Sequence, residues 1–534
     1  MTDVSPEAAD IVVIGAGFSG MYALHRLGGD YRVVCLEAGD GVGGTWYWNR
    51  YPGARVDIES AEYSYGFDDA LQQEWRWPEL FAAQPDLERY ANHVADRFGL
   101  RDRIRLSTRV TRMRFDESAN LWHVWTDRGG YLVCRYVIAA TGSLNASNTP
   151  PWPGRENFAG QVLHTTEWPR EGVDFRGKRV GLVGTGSSGV QAAPIIAEQA
   201  EHLFVFQRTP AFSMPSGNRP VDPDYERDWK ANYPERRKQM LQTYGASLVK
   251  YPTLSALECS KEEQDRILEE AWHSRSAFQL LVAFRDVLTD MAANDVVCEF
   301  VRGKIRQIVN DPRTAELLCP TTYPIGGKRL CIDNGYYGMF NRDNVTLVDA
   351  RAAPITAFCE EGLRTMETTW PLDVIVLATG FDALTGAMTR IDIEGEGGMR
   401  LREKWQSGPT TYLGSMVAGF PNLFMIHGPM TPSAQAQMIT TGEWQVDWTA
   451  RIIDDMTRDG KTRIQTDETA ERWWQDELSQ VASATVHRHA DSWYRGSNID
   501  GKADVFMIYV GGFVRFAELC NAALDEGYRG FTRR

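Results

Sequence analysis

A glycine turn with the spacing G-x-G-x-x-G occurs twice in this 534-residue chain. In each copy an apolar strand pattern precedes the turn and a helix pattern follows it. The backbone N–H groups at the start of such a helix can bind the pyrophosphate of a dinucleotide. The sequence therefore predicts two dinucleotide sites, with the contact residues Gly15, Gly17, Ser19 and Gly20 in the first turn and Gly184, Thr185, Gly186, Ser187, Ser188 and Gly189 in the second.

The residue after the second strand of each unit indicates which ribose the unit binds. In the first unit this residue is Glu37, whose carboxylate can accept hydrogen bonds from ribose hydroxyls and would repel a 2′-phosphate. In the second unit Gln207 and Arg208 stand at about the same distance from the turn. A guanidinium binds a phosphate through paired hydrogen bonds, although an exposed arginine after an edge strand would look the same. We therefore predict FAD or NAD at the first site and NADP(H) at the second.

A segment rich in aromatic residues and glycine follows the first unit at residues 43–57. Its composition alone is typical of a buried loop. Its position soon after Glu37 predicts instead that it lies along the flavin of a bound FAD. Asp57, with Arg50 and Arg55 nearby, is a candidate for a charged group at the flavin ring. The predicted flavin contacts are Gly44, Thr45, Trp46, Asp57 and Tyr63.

The composition changes in the middle of the chain. Residues 216–318 place charged side chains at helical spacing with aromatic residues between them, which predicts a helical insertion. After the insertion, Lys328 and Arg329 follow a flexible glycine turn. Such a pair of cations is commonly a solvated surface. If the chain returns here to the second dinucleotide unit, the two cations are instead candidates for binding the cofactor.

Two apolar strands end in Ala-Thr-Gly, at residues 140–142 and 378–380, and predict where the chain crosses between the two units. The expected fold class is α/β, with two Rossmann-like dinucleotide-binding domains, one for FAD and one for NADP, and a helical insertion in the NADP domain. The expected division is residues 1–144 and 373–534 for the FAD domain, 145–215 and 319–372 for the NADP domain, and 216–318 for the insertion.

Charge and cysteine usage argue against several classes of function. The net charge is −14, which disfavours nucleic-acid binding, and no apolar run approaches the roughly 18 residues of a membrane-spanning helix. Residues 1–10 lack the features of a secretory leader, so a cytoplasmic location is expected. The eight cysteines include no CxxC spacing, so a reduced flavin has no dithiol motif to pass electrons to. His487 and His489 have no further ligands beside them, and no metal site is predicted.

The segment between the two glycine turns carries the longer motif Phe158-x-Gly160-x-x-x-His164-x-x-x-Trp168-Pro169. In this position it resembles the fingerprint of type I Baeyer–Villiger monooxygenases. The resemblance covers essentially the whole chain and points to the branch of phenylacetone and steroid monooxygenases. Related flavin enzymes that oxygenate nitrogen or sulfur have Tyr or Phe and a basic residue where this chain has Trp168-Pro169. Other segments that resemble the family are residues 44–53, 328–329, 340–345 and 492–494.

The resemblance implies an FAD- and NADPH-dependent enzyme that converts ketones to esters or lactones with O2 through a C4a-peroxyflavin. The peroxide and the oxyanion of the ketone adduct need a fixed positive charge. By resemblance this catalytic charge is Arg329, held by Asp57, and His164 is similar to a hinge residue that couples the domains. By the same resemblance Arg208, Thr209 and Lys328 bind the 2′-phosphate, Trp493 lies at the nicotinamide, Met438 lines the flavin, and Ser433 and Ala434 line the ketone pocket.

Two alternatives stay open. The first is a flavin enzyme that oxygenates nitrogen or sulfur, whose product keeps every carbon–carbon bond of the substrate. The second is a non-catalytic FAD and NADP sensor that docks a partner through the helical insertion. Two complete nucleotide sites and the Arg329–Asp57 pair argue against the sensor. The sequence does not rank linear, aryl, cyclic and steroid ketones, and a monomer is expected.

Overall fold

The structure, a computed structural model, describes residues 7–274 and 277–534. Residues 1–6 lie outside the described residues. They are part of the segment 1–10 from which a secretory leader was not expected. The strands are β1 (Glu7–Ile14), β2 (Val33–Leu36), β3 (Ile104–Arg105), β4 (Val110–Asp116), β5 (Leu121–Thr126), β6 (Tyr131–Ala139), β7 (Gln161–His164), β8 (Arg179–Val183), β9 (His202–Gln207), β10 (Ser213–Pro215), β11 (Cys331–Asp333), β12 (Val345–Asp349), β13 (Ile355–Cys359), β14 (Gly362–Thr365), β15 (Thr369–Pro371), β16 (Val374–Leu377), β17 (Asp392–Glu394), β18 (Leu423–Met425), β19 (Ile464–Thr466) and β20 (Phe531–Arg533).

The helices are distributed along the whole described chain. Among the described residues, no helix combines the length and the apolar character that crossing a membrane requires. The helices are α1 (Phe18–Leu27), α2 (Thr45–Trp48), α3 (Asp69–Glu74), α4 (Gln84–Arg97), α5 (Ser187–Gln199), α6 (Pro223–Met240), α7 (Lys261–Trp272), α8 (Ala277–Leu281), α9 (Met291–Ile308), α10 (Pro312–Leu318), α11 (Tyr336–Met339), α12 (Gly386–Thr389), α13 (Leu401–Lys404), α14 (Met438–Arg458), α15 (Glu468–Ser483) and α16 (Phe513–Asp525).

The first sheet contains the strand–turn–helix unit that begins the chain. Its order is β17-β4-β5-β6-β1-β2-β3, with β18 also paired to β6. β1 runs parallel to β2 and β6, and its last four residues are buried. A continuous apolar run is what a parallel strand covered on both faces requires. β4, β5 and β6 form an antiparallel meander after α4.

The second sheet is entirely parallel, with the order β12-β9-β8-β16-β7. Its unit β8-α5-β9 repeats the unit β1-α1-β2. The strand β16 pairs with β7 and β8, so the boundary predicted between residues 372 and 373 is wrong for this strand. The Ala-Thr-Gly ending shows that the chain crosses, but an apolar strand does not show which sheet it joins. The rest of the predicted division stays a prediction.

The same backbone contact closes the glycine turn in both units. Gly15 has φ +101°, and a Cβ atom there would lie 2.6 Å from the carbonyl oxygen of Ala140. Gly184 has φ +109°, and a Cβ atom there would overlap the carbonyl oxygen of Ala378. Only glycine combines this left-handed conformation with such close packing. Each Ala-Thr-Gly segment therefore packs on its own turn before the chain leaves the sheet.

The helices α6 to α10 lie between β10 and β11, which are parallel and adjacent. The chain thus leaves the second unit and returns to it at one place, and the N–H of Cys331 donates to the carbonyl of Phe212 (3.0 Å). α6 also packs on the first part of the chain. The guanidinium of Arg237 is buried and donates to the carbonyl oxygens of Glu62 (2.8 Å) and Ala61 (3.1 Å). The insertion is therefore anchored at both units.

We expect Gly189→Ala to lower the thermal stability of the cofactor-depleted protein, whereas Gly186→Ala should leave it nearly unchanged. A Cβ atom at residue 189 would overlap the carbonyl oxygen of Gly184. Crowding of well-packed atoms typically costs about 1–3 kcal/mol. At residue 186 no atom lies within 4 Å of the Cβ position. Thermal unfolding measures both variants, and equal melting temperatures would contradict this packing account.

Candidate active site

The first glycine turn ends against a buried carboxylate. Glu37 is 5% exposed, and its two oxygens accept hydrogen bonds from the backbone N–H groups of Ala16 (2.7 Å) and Gly39 (2.7 Å). Burial raises the pKa of this carboxyl group, and the two N–H groups partly offset the rise. The carboxyl oxygens are therefore fixed at the end of β2, where ribose hydroxyls can donate to their remaining lone pairs.

The aromatic segment is built onto this turn. Gly44 has φ +55°, and a Cβ atom there would lie 2.8 Å from the Cα of Gly17. Thr45–Trp48 then form α2, a short helix for which the sequence shows no clear period. The indole N–H of Trp46 donates to the hydroxyl of Tyr63 (3.1 Å), and burial raises the pKa of Tyr63 to about 12. Tyr63 is therefore a neutral, oriented ring beside the turn.

The second turn has the same backbone arrangement as the first, but different residues follow the second strand, where the ribose is expected. The N–H groups of the first glycines donate to Leu36 in one unit and to Phe206 in the other, which aligns Gln207 with Glu37. The amide of Gln207 is buried and donates to the main-chain carbonyl of Leu317 (2.7 Å). Arg208, one residue further on, is exposed. Of Gln207 and Arg208, only Arg208 therefore presents a charge at the end of β9, where the ribose is expected.

A pyrophosphate has room at the second turn. Gly186 precedes α5, and no atom lies within 4 Å of the position that its Cβ would take. Protein packing thus does not require glycine here, whereas close approach of a ligand to the backbone does. The hydroxyl of Thr185 donates to the carbonyl of Thr209 (2.7 Å). This bond joins the turn to the loop after β9, and the residues present fit a bound dinucleotide.

Lys328 and Arg208 act on each other although they lie far apart in the chain. Burial lowers the pKa of Lys328, and the charge of Arg208 lowers it further. The ammonium group also lies 4.8 Å from the centre of the Tyr323 ring. Two cations that repel each other in one place are an arrangement that a bound phosphate stabilises.

An ion pair joins Arg329 to Asp57. The guanidinium donates to Oδ2 of Asp57 through Nε (2.8 Å) and Nη2 (2.6 Å). The side chains are 24% and 31% exposed, so water screens the pair only in part. Burial disfavours the charge of Arg329, but Asp57, with smaller contributions from Tyr494 and Cys331, offsets this effect, and the pKa of Arg329 lies above its ordinary value. Arg329 is therefore a permanent cation with a fixed orientation.

The third partner of Arg329 is the main-chain carbonyl of Ala434, which accepts from Nη1. Ala434 has φ +66°, and Met430 in the same loop has φ +72°. Such conformations are uncommon for residues other than glycine and are concentrated at functional sites. The strained loop between β18 and α14 thus directs a carbonyl oxygen at the cation.

A small cavity opens beside Arg329. Lys328 and Ala434 also line it, so the structure brings these three predicted site residues together. Ser433 is not among the residues that line this cavity. It is 2% exposed, and its hydroxyl pairs with that of Thr431 (2.7 Å), because the loop turns this side chain inward.

The fingerprint segment runs along the second sheet. Phe158 is buried in the core of that sheet, and Trp168 is buried in the main core. A Cβ atom at Gly160 would overlap the carbonyl oxygen of Asp373. These three residues pack the segment against the sheet and do not line the cavity beside Arg329.

His164 lies where the chain crosses between the two sheets. Its Nδ1 accepts from the N–H of Thr166 (3.2 Å), and its Nε2 lies 3.4 Å from both the carbonyl of Asn148 and the hydroxyl of Thr379. Asn148 and Thr379 belong to the two crossing segments and are hydrogen-bonded to each other (2.6 Å). Burial lowers the pKa of His164, so a neutral ring lies between the crossings.

Gln437 was not predicted from the sequence, although it positions Met438. Its side chain accepts from the N–H of Thr440 (2.5 Å), which caps α14, and donates to the carbonyl of Glu62 (2.5 Å), next to Tyr63.

Trp493 lies on a separate segment, where its ring centre is 4.5 Å from that of Tyr494. Within residues 7–274 and 277–534, no group of three His, Cys, Asp or Glu side chains could hold a metal ion.

Comparison with known proteins decides the family. The profile of the flavin-binding monooxygenase-like family matches residues 8–251. The chain is 39% identical to a Baeyer–Villiger monooxygenase of Pseudooceanicola batsensis over 98% of this chain and 96% of that protein. The chain belongs to the Baeyer–Villiger monooxygenase family. The enzyme is therefore a flavoprotein monooxygenase, as the fingerprint predicts.

Two further relatives refine this result. A structure of oxidised steroid monooxygenase bound to NADP is 46% identical, with a TM-score of 0.94 and 99% of both chains covered. A phenazine N-monooxygenase of Lysobacter antibioticus is 37% identical over 99% of this chain and 98% of that protein. The α/β fold with two Rossmann-like units is confirmed, and the cofactors of the enzyme are FAD and NADPH, as predicted.

We expect the double variant Arg208→Ala/Lys328→Ala to lose most of the preference for NADPH over NADH. Hydrogen bonds to charged groups contribute about 1.5–3 kcal/mol each, so the KM for NADPH should rise at least about tenfold while that for NADH changes little. Steady-state rates with each coenzyme measure this. Arg176→Ala is the control, because Arg176 pairs with Asp174 on the surface. Equal use of the two coenzymes by the unaltered enzyme would refute the assignment.

Proposed function

We propose that the enzyme converts ketones to esters or lactones with NADPH and O2, and that Arg329 is its catalytic cation. The observation that carries this proposal is the fixed guanidinium, bound to Asp57 and to the carbonyl of Ala434 on the wall of a cavity. Bound FAD supplies the reducible ring on which electrons from NADPH activate O2. The protein residues bind, orient and stabilise charge.

Arg329 binds the carbonyl oxygen of the ketone in this proposal. Attack on the carbonyl carbon converts that oxygen into an oxyanion, and a preorganised cation in a partly dehydrated site stabilises the oxyanion more than the neutral ketone. A guanidinium has five N–H donors. One on Nε, one on Nη1 and one on Nη2 are used by Asp57 and Ala434, which leaves two for the cavity.

Asp57 has the role of holding this cation. It belongs to the segment after α2, whereas Arg329 precedes β11, so the pair ties the two units together at the cavity. Removal of one partner of a shielded ion pair leaves the other charge without compensation. Asp57 therefore fixes both the charge and the direction of the guanidinium.

We assign the other predicted residues to the cofactors. The buried carboxyl group of Glu37 supports binding of the FAD ribose, and the mutual effect of Arg208 and Lys328 supports binding of the 2′-phosphate. The hydrogen bond from Trp46 to Tyr63 supports a position beside the flavin. The remaining assignments are Gly15, Gly17, Ser19, Gly20, Gly44, Thr45 and Met438 for FAD, Gly184, Thr185, Gly186, Ser187, Ser188, Gly189, Thr209 and Trp493 for NADP, and His164 for coupling of the units.

Oxygenation of nitrogen or sulfur is a second candidate, because the phenazine N-monooxygenase matches the full length of the chain. That reaction forms no oxyanion beside a carbonyl carbon and gives Arg329 no comparable task. Incubation with a ketone and, separately, with an aryl methyl sulfide distinguishes the two. Identification of an ester or lactone by its hydrolysis products supports the first proposal, and exclusive sulfoxide formation supports the second.

A monomeric state and a cytoplasmic location belong to the proposal as well. Light scattering after size-exclusion chromatography measures the mass in solution, for which the monomer value is 60.2 kDa. Fractionation of the source cells locates the enzyme. A stable dimer, or recovery with the cell envelope, would contradict these two expectations.

We expect Arg329→Ala to bind FAD and to accept electrons from NADPH, yet to form almost no ester. Loss of one positioned stabilising group of this kind costs about 2.7–4 kcal/mol, or roughly 10²–10³ in rate. Arg329→Lys should restore little, because an ammonium group cannot reproduce the paired contacts to Asp57. Stopped-flow bleaching of the flavin absorbance and ester yield are measured on the same samples.

The control for this experiment is Arg176→Ala, which removes a surface arginine and should leave both quantities unchanged. Ester formation at the normal rate by Arg329→Ala would show that another group is the catalytic cation. Loss of flavin binding would show that Arg329 has a structural task instead.

A further inference from the structure

The cavity beside Arg329 has an apolar wall and a polar wall. Phe278, Leu281, Leu288 and Leu330 form the apolar wall. The polar wall contains Gln435, His487 and Tyr494. Gln435 directly follows Ala434, whose carbonyl holds the cation, so the polar wall begins one residue from the catalytic contact.

The hydrogen bonds around His487 determine which ring nitrogen carries the proton. The hydroxyl of Thr485 has a single proton, which it donates to the carbonyl of Ala482 (2.9 Å). Its oxygen must therefore accept from Nδ1 of His487 (3.0 Å). Burial lowers the pKa of His487 to about 4, so the ring is neutral at neutral pH. It follows that Nε2 carries a lone pair and is an acceptor.

This acceptor is incompletely satisfied. Among the described residues, Nε2 faces the amide nitrogen of Gln435 at 3.5 Å, beyond the usual length for an N–H donor. His487 is 1% exposed, so water compensates little. The rings of Tyr494 and Phe506 lie with their centres 6.1 and 6.3 Å from the imidazole and limit its movement. A buried acceptor with a long contact is a place where a ligand donor gains binding energy.

We propose that His487 and Gln435 select ketones that carry a hydroxyl group remote from the carbonyl. The ligand hydroxyl donates to Nε2 of His487 and accepts from the amide N–H of Gln435, while its carbonyl faces Arg329. This inference rests on the proposed function for the placement of the carbonyl. It goes beyond that function because it names the chemical class that the polar wall recognises.

The specificity follows from the cost of leaving polar groups unpaired. A site built to hydrogen-bond a hydroxyl disfavours the analogue that lacks it, because His487 and Gln435 then lose a partner in a dehydrated place. The apolar wall accepts the carbon skeleton and contributes little to this choice. Phe278 packs against Arg329, with the guanidinium 4.9 Å from the ring centre, so the apolar wall reaches the cation.

The test measures binding to the enzyme loaded with FAD and NADP⁺ by isothermal titration calorimetry. The probes are two matched pairs: cyclohexanone with 4-hydroxycyclohexanone, and 4-phenylbutan-2-one with 4-(4-hydroxyphenyl)butan-2-one. We expect at least one hydroxylated ketone to bind about tenfold more tightly than its parent, the effect of one added hydrogen bond of ordinary strength. His487→Phe and Gln435→Met should each abolish this advantage and leave the affinity for the parent ketone nearly unchanged.

His489→Phe is the matched control, because this exposed histidine lies on the same short turn and does not line the cavity. The advantage of the hydroxyl should persist in it. No advantage for either hydroxylated ketone in the unaltered enzyme, or an advantage that survives in either cavity variant, would overturn the proposal. Ester formation from the parent ketones is assayed separately, so a failure of the proposed function is recognised independently of the binding result.

Discussion

The contact between Arg329 and Asp57 is the constraint on which the site depends. Arg329 lies where the chain returns from the insertion, Asp57 follows the aromatic segment of the first unit, and Ala434 belongs to the loop before α14. No single segment can place this cation. Both dinucleotide units and the strained loop must be in register before the guanidinium faces the cavity. The ion pair is partly shielded, so its loss leaves an uncompensated charge as well as a misdirected one.

The two dinucleotide units show how one backbone design can serve two cofactors. Each turn packs its first glycine against an Ala-Thr-Gly segment, at Ala140 in one unit and at Ala378 in the other. The charged group that distinguishes the two units follows the second strand. The first unit presents a buried carboxyl group, and the second buries its glutamine against the carbonyl of Leu317 and presents an arginine. The crossings at the Ala-Thr-Gly segments meet at His164, so the two units are in direct contact there.

Local patterns could be predicted from the sequence, whereas encounters between distant segments could not. The glycine turns, Glu37 and Arg208 are predictable because strand, turn and helix lie within one short stretch. The predicted domain boundary at residue 373 was wrong for β16, because the apolar pattern of a strand does not indicate which of two sheets it joins. The sequence indicated only that His487 has no metal-ligand cluster beside it, since Gln435 lies 52 residues away and the hydrogen bond that fixes the tautomer appears only in the fold. The Arg329–Asp57 contact, over 272 residues, came from family resemblance.

The central claim is that Arg329 and Asp57 act as one unit, and a double-mutant cycle on ester formation tests it most directly. The rate of ester formation at saturating ketone is measured for the unaltered enzyme, Arg329→Ala, Asp57→Asn and the double variant. Residues that act as a unit are strongly non-additive. The account predicts that the double variant is no slower than Arg329→Ala, because Asp57 contributes only through the cation. A double variant slower by the full product of the two single effects would contradict the account.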